Sequence, residues 1–170
     1  MFSFVSGGSG REIGPSFFVF DFGGTRVGID CGLRPKVDRN DPERLFKLVP
    51  DFSVCPKLDY LFITHGHLDH VGDVPQLFQK FEDVKIFMTS ATFHIAQLQW
   101  EETLRIGERE GLATPFGRRD IELAKKNVYS ITPHQTVNFT REGFSVRAIP
   151  AGHILDAVSF VFGYKGKKIF

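Results

Sequence analysis

The chain has 170 residues, 42% hydrophobic and 24% charged, with a formal net charge of +1, which fits one folded domain with a real core and excludes a disordered chain. Near-neutral charge gives no compositional case for a nucleic-acid binder, and two cysteines without CxxC spacing exclude a disulfide framework and favour a reducing compartment. Residues 1–10 lack the basic start and apolar stretch of a signal peptide, and no uncharged run approaches the ~18–20 residues of a membrane span, so a soluble, cytoplasmic protein with no membrane role is expected.

The first thirty residues read as strands joined by glycine turns. Phe2–Val5 is short and apolar, and Gly7, Gly8 and Gly10 break it. Ser16–Phe22 and Arg26–Asp30 flank Gly23-Gly24, a two-residue hairpin signal, because a type I′ turn needs positive φ at both positions. The charged, proline-containing stretch from Arg34 to Pro56 is a long connection with at most a short helix near Pro42–Leu48. Tyr60–Thr64 is a compact apolar strand. Asp73-Val74-Pro75 reads as a helix start, with Asp as N-cap and Pro in the first turn. Val84–Met88 is another strand. Phe93, Ala96, Trp100 and Leu104 then recur at helical spacing in a helix from about Thr92 to Gly107, and Trp100 is assigned to the core.

A second helix is expected over Arg118–Lys126, followed by strands at Thr136–Phe139, Phe144–Pro150, Ala157–Tyr164 and Lys167–Phe170. The last reads as the opening of a strand, so residues 1–170 are expected to be the N-terminal portion of a larger domain. The order of elements implies a mixed sheet with helices packed on it, α/β or α+β. Three local basic groups (Arg34, Lys36 and Arg39; Arg118 and Arg119; Lys165, Lys167 and Lys168) are read as solvated surface.

The chemistry concentrates in Thr64-His65-Gly66-His67-Leu68-Asp69-His70, of the form HxHxDH, directly after a strand. Imidazole nitrogens bind Zn²⁺ at ~2.0–2.1 Å and carboxylate oxygens at similar distances, so a tight turn can aim several at one small volume. His65 and His67 alternate and would point the same way in extended chain. Asp69 and His70 follow after a turn and address a neighbouring position. Gly66 is expected to clear space where the backbone passes the ions. His153, in Ala151-Gly152-His153 at a strand end, is the distant histidine that completes a tetrahedral set.

Asp30 either orients a ligand histidine or caps local amides, and Cys31 is read as a small buried residue. His94 and His134 are assigned no metal role. The stretch Gly8-Ser9-Gly10-Arg11-Glu12-Ile13-Gly14 fails as a dinucleotide fingerprint, since its third glycine falls one residue late and a strand follows it.

Together the HxHxDH cluster, Ile29-Asp30-Cys31-Gly32 before it and Ala151-Gly152-His153 after it resemble the metallo-β-lactamase superfamily. The glycine turn, the Ala-Gly-His context and the two helices between His70 and His153 are similar to its β-CASP branch of nucleic-acid-processing nucleases. The resemblance implies a four-layer αββα sandwich with two zinc ions between its sheets: His65, His67 and His153 on one, Asp69 and His70 on the other. Manganese or iron also suits the ligand types. It implies that Asp69 is catalytic as well as metal-binding, and that the bridging aspartate and the β-CASP insertion follow residue 170. Asp156 stands where the family commonly has glycine.

The expected activity is a zinc-dependent ribonuclease in RNA processing or 3′-end cleavage, acting on single-stranded RNA in the full-length protein, with residues 1–170 alone inactive. A homodimer is compatible with this reading. Two alternatives remain: a hydrolase of a small thioester, lactam or phosphodiester on the same scaffold, and a non-catalytic partner subunit.

Overall fold

The computed structural model describes every residue except 1, 11, 12, 39 and 42. Arg39 of the first basic group, Arg11 and Glu12 of the glycine stretch, and Pro42 at the expected start of the short helix lie outside the described residues.

Six strands form the first sheet, in spatial order β1 (Phe2–Ser6), β2 (Phe18–Phe22), β3 (Thr25–Ile29), β4 (Tyr60–Phe62), β5 (Lys85–Met88) and β6 (Val128–Ser130). The first three pair antiparallel, and β3 to β6 run parallel. Gly23 and Gly24 join β2 to β3 at φ +70 and +102, the left-handed pair a type I′ turn requires. The second sheet is wholly antiparallel, in order β10-β9-β8-β7, from β7 (Thr136–Phe139), β8 (Phe144–Pro150), β9 (Val158–Tyr164) and β10 (Lys167–Ile169). The helices are α1 (Arg44–Leu48), α2 (Leu68–Val71), α3 (Ser90–Glu110) and α4 (Arg118–Lys126).

Strand alternation builds two cores. On β4 and β5, Leu61, Ile63, Ile86 and Met88 face the helices and meet Ala96, Trp100, Leu104, Ile121 and Ala124. Tyr60, Phe62 and Phe87 point the other way, onto Phe144, Val146, Phe160 and Phe162 of the second sheet. A helical layer and two sheets thus stack in the order expected of an αββα sandwich. Trp100 is fully buried, so cutting it to alanine would cost about 3–5 kcal/mol.

α3 is longer than its apolar spacing suggests. The Thr89 side chain accepts from Thr92 N–H at its start, and Gly111 ends it at φ +63.

Two local expectations change. β6 was not anticipated: it is three residues long, follows α4 directly and shows no apolar alternation, and its place is set by pairing with Ile86–Met88. Pro75 does open a helical segment, but it is a 3₁₀ helix, Val74–Gln79, and the Asp73 side chain makes no capping bond. Asp73 is instead wholly buried, which pushes its carboxyl well above the usual range.

Candidate metal centre

The histidine cluster sits where β3 and β4 end, the edge at which layered α/β folds place their sites. Asp30 N–H donates to Phe62 O, and Ile63 N–H to Phe87 O, so the sheet carries the chain in register up to Thr64. From the second sheet, Val158 N–H donates to Thr64 O at 2.9 Å. That single bond ties the start of β9 to the end of β4. The loop between β8 and β9 closes on itself through Ala151 N–H to Ala157 O, and so delivers His153 over the cluster.

His65 Nε2 lies 3.1 Å from His67 Nδ1, and His153 Nε2 lies 3.2 Å from the same atom. All three ligand nitrogens fall within 4.8 Å of one another. With metal–nitrogen bonds of ~2.0–2.1 Å, a tetrahedron has edges of ~3.3–3.4 Å, close to both short separations. A single proton on His67 Nδ1 serves one of these contacts well, whereas a cation among them satisfies all three lone pairs. The donor set therefore fits a divalent metal. His65 is buried, and His67 and His153 are exposed, so the triad opens to solvent on one side.

Asp30 organises the nitrogens from behind. Its Oδ1 accepts from Thr64 N–H at 2.8 Å, and its Oδ2 accepts from His70 Nδ1 at 2.8 Å. Thr64 Oγ1 lies 3.0 and 2.9 Å from the two carboxylate oxygens and 2.9 Å from His65 Nδ1. The hydroxyl has one proton and the carboxylate only accepts, so Thr64 donates to Asp30 and accepts from His65 Nδ1–H. His65 Nε2 and His70 Nε2 are thereby left as free lone pairs. One carboxylate sets two tautomers, directly at His70 and through a hydroxyl at His65. Asp30 thus accepts from a backbone amide and from a ring of the histidine cluster, contacts that both sequence readings of it require. It does so from a left-handed backbone, φ +57, which Asp tolerates better than most residues.

Burial first, and the neighbouring His70 second, push the His65 pKa down to about 4, so this ring is neutral at pH 7. At His70 burial works against the charged form, but the Asp30 hydrogen bond and the charges of Asp30 and Asp69 outweigh it, and its pKa rises. Asp69 and His70 lie on α2, with Asp69 Oδ2 3.7 Å from His70 Nε2. The rings of His65 and His70 are 4.1 Å apart at their centroids, so the two groups are adjacent.

The remaining sequence candidates stand apart. His94 Nδ1 bonds Ser90 O on its own helix, and His134 occupies a turn beside β8 at φ +69. Cys31 is fully buried, and burial, with the Asp73 and Asp30 carboxylates nearby, pushes its thiol well up, which suits a packing role. Gly66 makes room for α3: a Cβ there would meet Ile95 at 2.9 Å. Asp156 has φ +54, which explains why glycine suits that position. Thr64, which links Asp30 to His65, is the residue of the cluster that sequence reading overlooked. The available signal was a hydroxyl side chain immediately before the first histidine.

Comparison with known proteins agrees with this geometry. The family model "Metallo-beta-lactamase superfamily" matches residues 56–168. Cleavage and polyadenylation specificity factor 73 of Drosophila melanogaster is 30% identical over 165 residues, covering 95% of this chain and 23% of that protein. The Integrator complex subunit 11 homolog of Dictyostelium discoideum is 32% identical over 90% of this chain and 21% of its own length. Transcription termination factor FttA of Methanocaldococcus jannaschii is 32% identical over 88% of this chain and 23% of its own. These relatives are β-CASP proteins, and the chain spans less than a quarter of the length of each.

Among solved structures, a metallo-β-lactamase from Cronobacter sakazakii superposes with a TM-score of 0.59 at 19% identity, over 96% of this chain and 57% of that one. A protein of unknown function from Enterococcus faecalis gives 0.65 at 18%, over 99% and 42%. Both show the shared fold. With the family model matched over most of its length and its histidines gathered at the strand ends, this chain belongs to the metallo-β-lactamase superfamily.

Proposed function

We propose that this chain is the metal-binding N-terminal portion of a zinc-dependent ribonuclease of the β-CASP branch, acting on single-stranded RNA. The observation that carries the reading is the convergence of His65 Nε2, His67 Nδ1 and His153 Nε2, two of them at 3.1 and 3.2 Å from the third, from segments far apart in sequence. In this reading those three nitrogens hold one zinc, and Asp69 with His70 Nε2 holds a second beside it. A zinc ion in such a site supplies Lewis acidity and a water made nucleophilic at neutral pH.

The protein's own residues do the rest. His65, held neutral by burial, keeps its lone pair at pH 7. Asp30 and Thr64 fix which nitrogen each ring presents. Asp69, whose Oδ2 lies 3.7 Å from His70 Nε2, would orient the nucleophile or take its proton. Relatives named for cleavage and polyadenylation, for an Integrator subunit and for transcription termination favour RNA as the substrate.

The test compares cleavage of labelled single-stranded RNA by the intact protein and by His67→Ala, each with zinc and with a chelator. Loss of cleavage in both the variant and the chelated protein is expected. Equal cleavage by protein and variant would remove the proposal.

A further inference from the structure

The one-turn helix α2, which carries Asp69 and His70, is too short to hold itself. Its last carbonyls are nevertheless all met from outside. Leu68 O accepts from Leu33 N–H at 2.9 Å, Asp69 O from Ser16 N–H at 2.9 Å, and His70 O from Cys31 N–H at 2.7 Å. Val71 O accepts from the indole of Trp100 at 2.9 Å. At the other end of the loop, Gly66 O, between the two alternating histidines, accepts from Gln99 Nε2 at 2.6 Å.

Gln99 and Trp100 are consecutive on α3, about 100° apart around its axis. They grip carbonyls on either side of the stretch from His67 to His70, while Ile95, one turn earlier, closes on Gly66. We propose that Gln99 and Trp100 are positioning residues: α3 sets the spacing of His65, His67, Asp69 and His70 through side-chain bonds to the carbonyls of Gly66 and Val71. This rests on the metal reading above and adds to it the element that holds the ligand loop rigid. Helical spacing alone gives Trp100 to packing and says nothing of Gln99. Trp100 does pack, but its N–H is spent on the site. Gln99 is half-buried, and its amide nitrogen goes to Gly66.

Gln99 is the residue to change, because removing Trp100 would unfold the core. Gln99→Met keeps length and helix propensity without a donor, and Gln99→Glu keeps shape but offers only acceptors. Leu98→Ala, at an exposed neighbour, is the control. The intact protein and each variant are stripped of metal, titrated with Co²⁺, followed by visible absorption, and melted without metal.

Both Gln99 variants should bind Co²⁺ about tenfold or more weakly, with an altered absorption band. Their metal-free melting should fall moderately, because the buried Gly66 carbonyl loses its donor, while both stay folded at the titration temperature and Leu98→Ala binds normally. Unchanged Co²⁺ affinity and spectrum in both Gln99 variants would overturn the proposal, as would a loss of affinity with the absorption band of the bound metal unaltered. His67→Ala in the same titration separates the two ideas. If it too binds normally, the metal reading fails; if it loses Co²⁺ while the Gln99 variants do not, only the brace fails.

Discussion

Thr64→Val isolates the relay between Asp30 and His65. Valine keeps the shape and branching of threonine, and the backbone N–H of residue 64 still reaches Asp30 Oδ1, held now at 2.8 Å. What disappears is the oxygen that lies 2.9 Å from His65 Nδ1 and 2.9 Å from Asp30 Oδ2. A buried ring N–H without its acceptor costs about 1–3 kcal/mol, and His65 is only 8% exposed. The ring can recover part of this by moving its proton to Nε2, which is the nitrogen that faces His67 and His153. Metal binding must then reverse that shift. The cost therefore falls mainly on the bound state, as a loss of about 10–100-fold in affinity, or ~1.4–2.8 kcal/mol.

The assay is competition between the protein and a chromophoric chelator for Zn²⁺, at pH 7 and fixed salt. Thr64→Ser, which retains a hydroxyl, should restore most of the affinity. A Thr64→Val protein that binds zinc as tightly as the parent would refute the tautomer argument. So would a serine variant as weak as the valine one, because the effect would then belong to packing.

Three further outcomes follow from the same geometry. Gly32→Ala should lower the midpoint of urea unfolding by an amount equivalent to about 1–3 kcal/mol, because the new Cβ would stand 1.9 Å from Asp69 O and force the Asp69 backbone away. Zinc titration of the 170-residue chain by calorimetry should show one tight equivalent and one markedly weaker, since three imidazoles converge at one position and the neighbouring one has Asp69 and His70. In alkali, absorbance at 295 nm should show one tyrosine ionising late: burial first, and its 2.6 Å bond to Glu142 second, push Tyr60 from 10.0 up to about 12. Since the fold favours the neutral phenol, that contribution to stability is whole below pH 10 and is lost between pH 10 and about 12, and Tyr60→Phe should flatten it.

The sequence was legible where a residue's role follows from local periodicity. His65 and His67 alternate in extended chain, so their convergence needs only a strand end. Alternation along β4 likewise sorts Leu61 from Phe62, and the 96, 100, 104 spacing finds the buried face of α3. Illegible were roles assigned by partners distant in sequence. β6 pairs with the edge that β5 offers, and the three residues Val128–Ser130 are too few to show the alternation of a strand. Asp73 has the residue type and spacing of an N-cap, yet packing buries its carboxyl beneath the loop. At Gly66 the need for space is legible, but not that Ile95, twenty-nine positions later, stands against it.

These cases share a physical cause that also bears on the chemistry. The candidate ligands are displayed by a loop and a single helical turn, neither of which has enough internal hydrogen bonding to fix their positions alone. Rigidity is borrowed from main-chain donors at Ser16, Cys31 and Leu33, from two side chains of α3, and from the Asp30 carboxylate. The donors and the carboxylate come from the segment before β2, the segment after β3 and α3, and the first sheet and α3 hold these together. On the proposed reading, metal geometry in this chain would accordingly be a property of the packed core. Substitutions that loosen the contact between α3 and the first sheet should weaken metal binding before they unfold the chain, even where no ligand is touched.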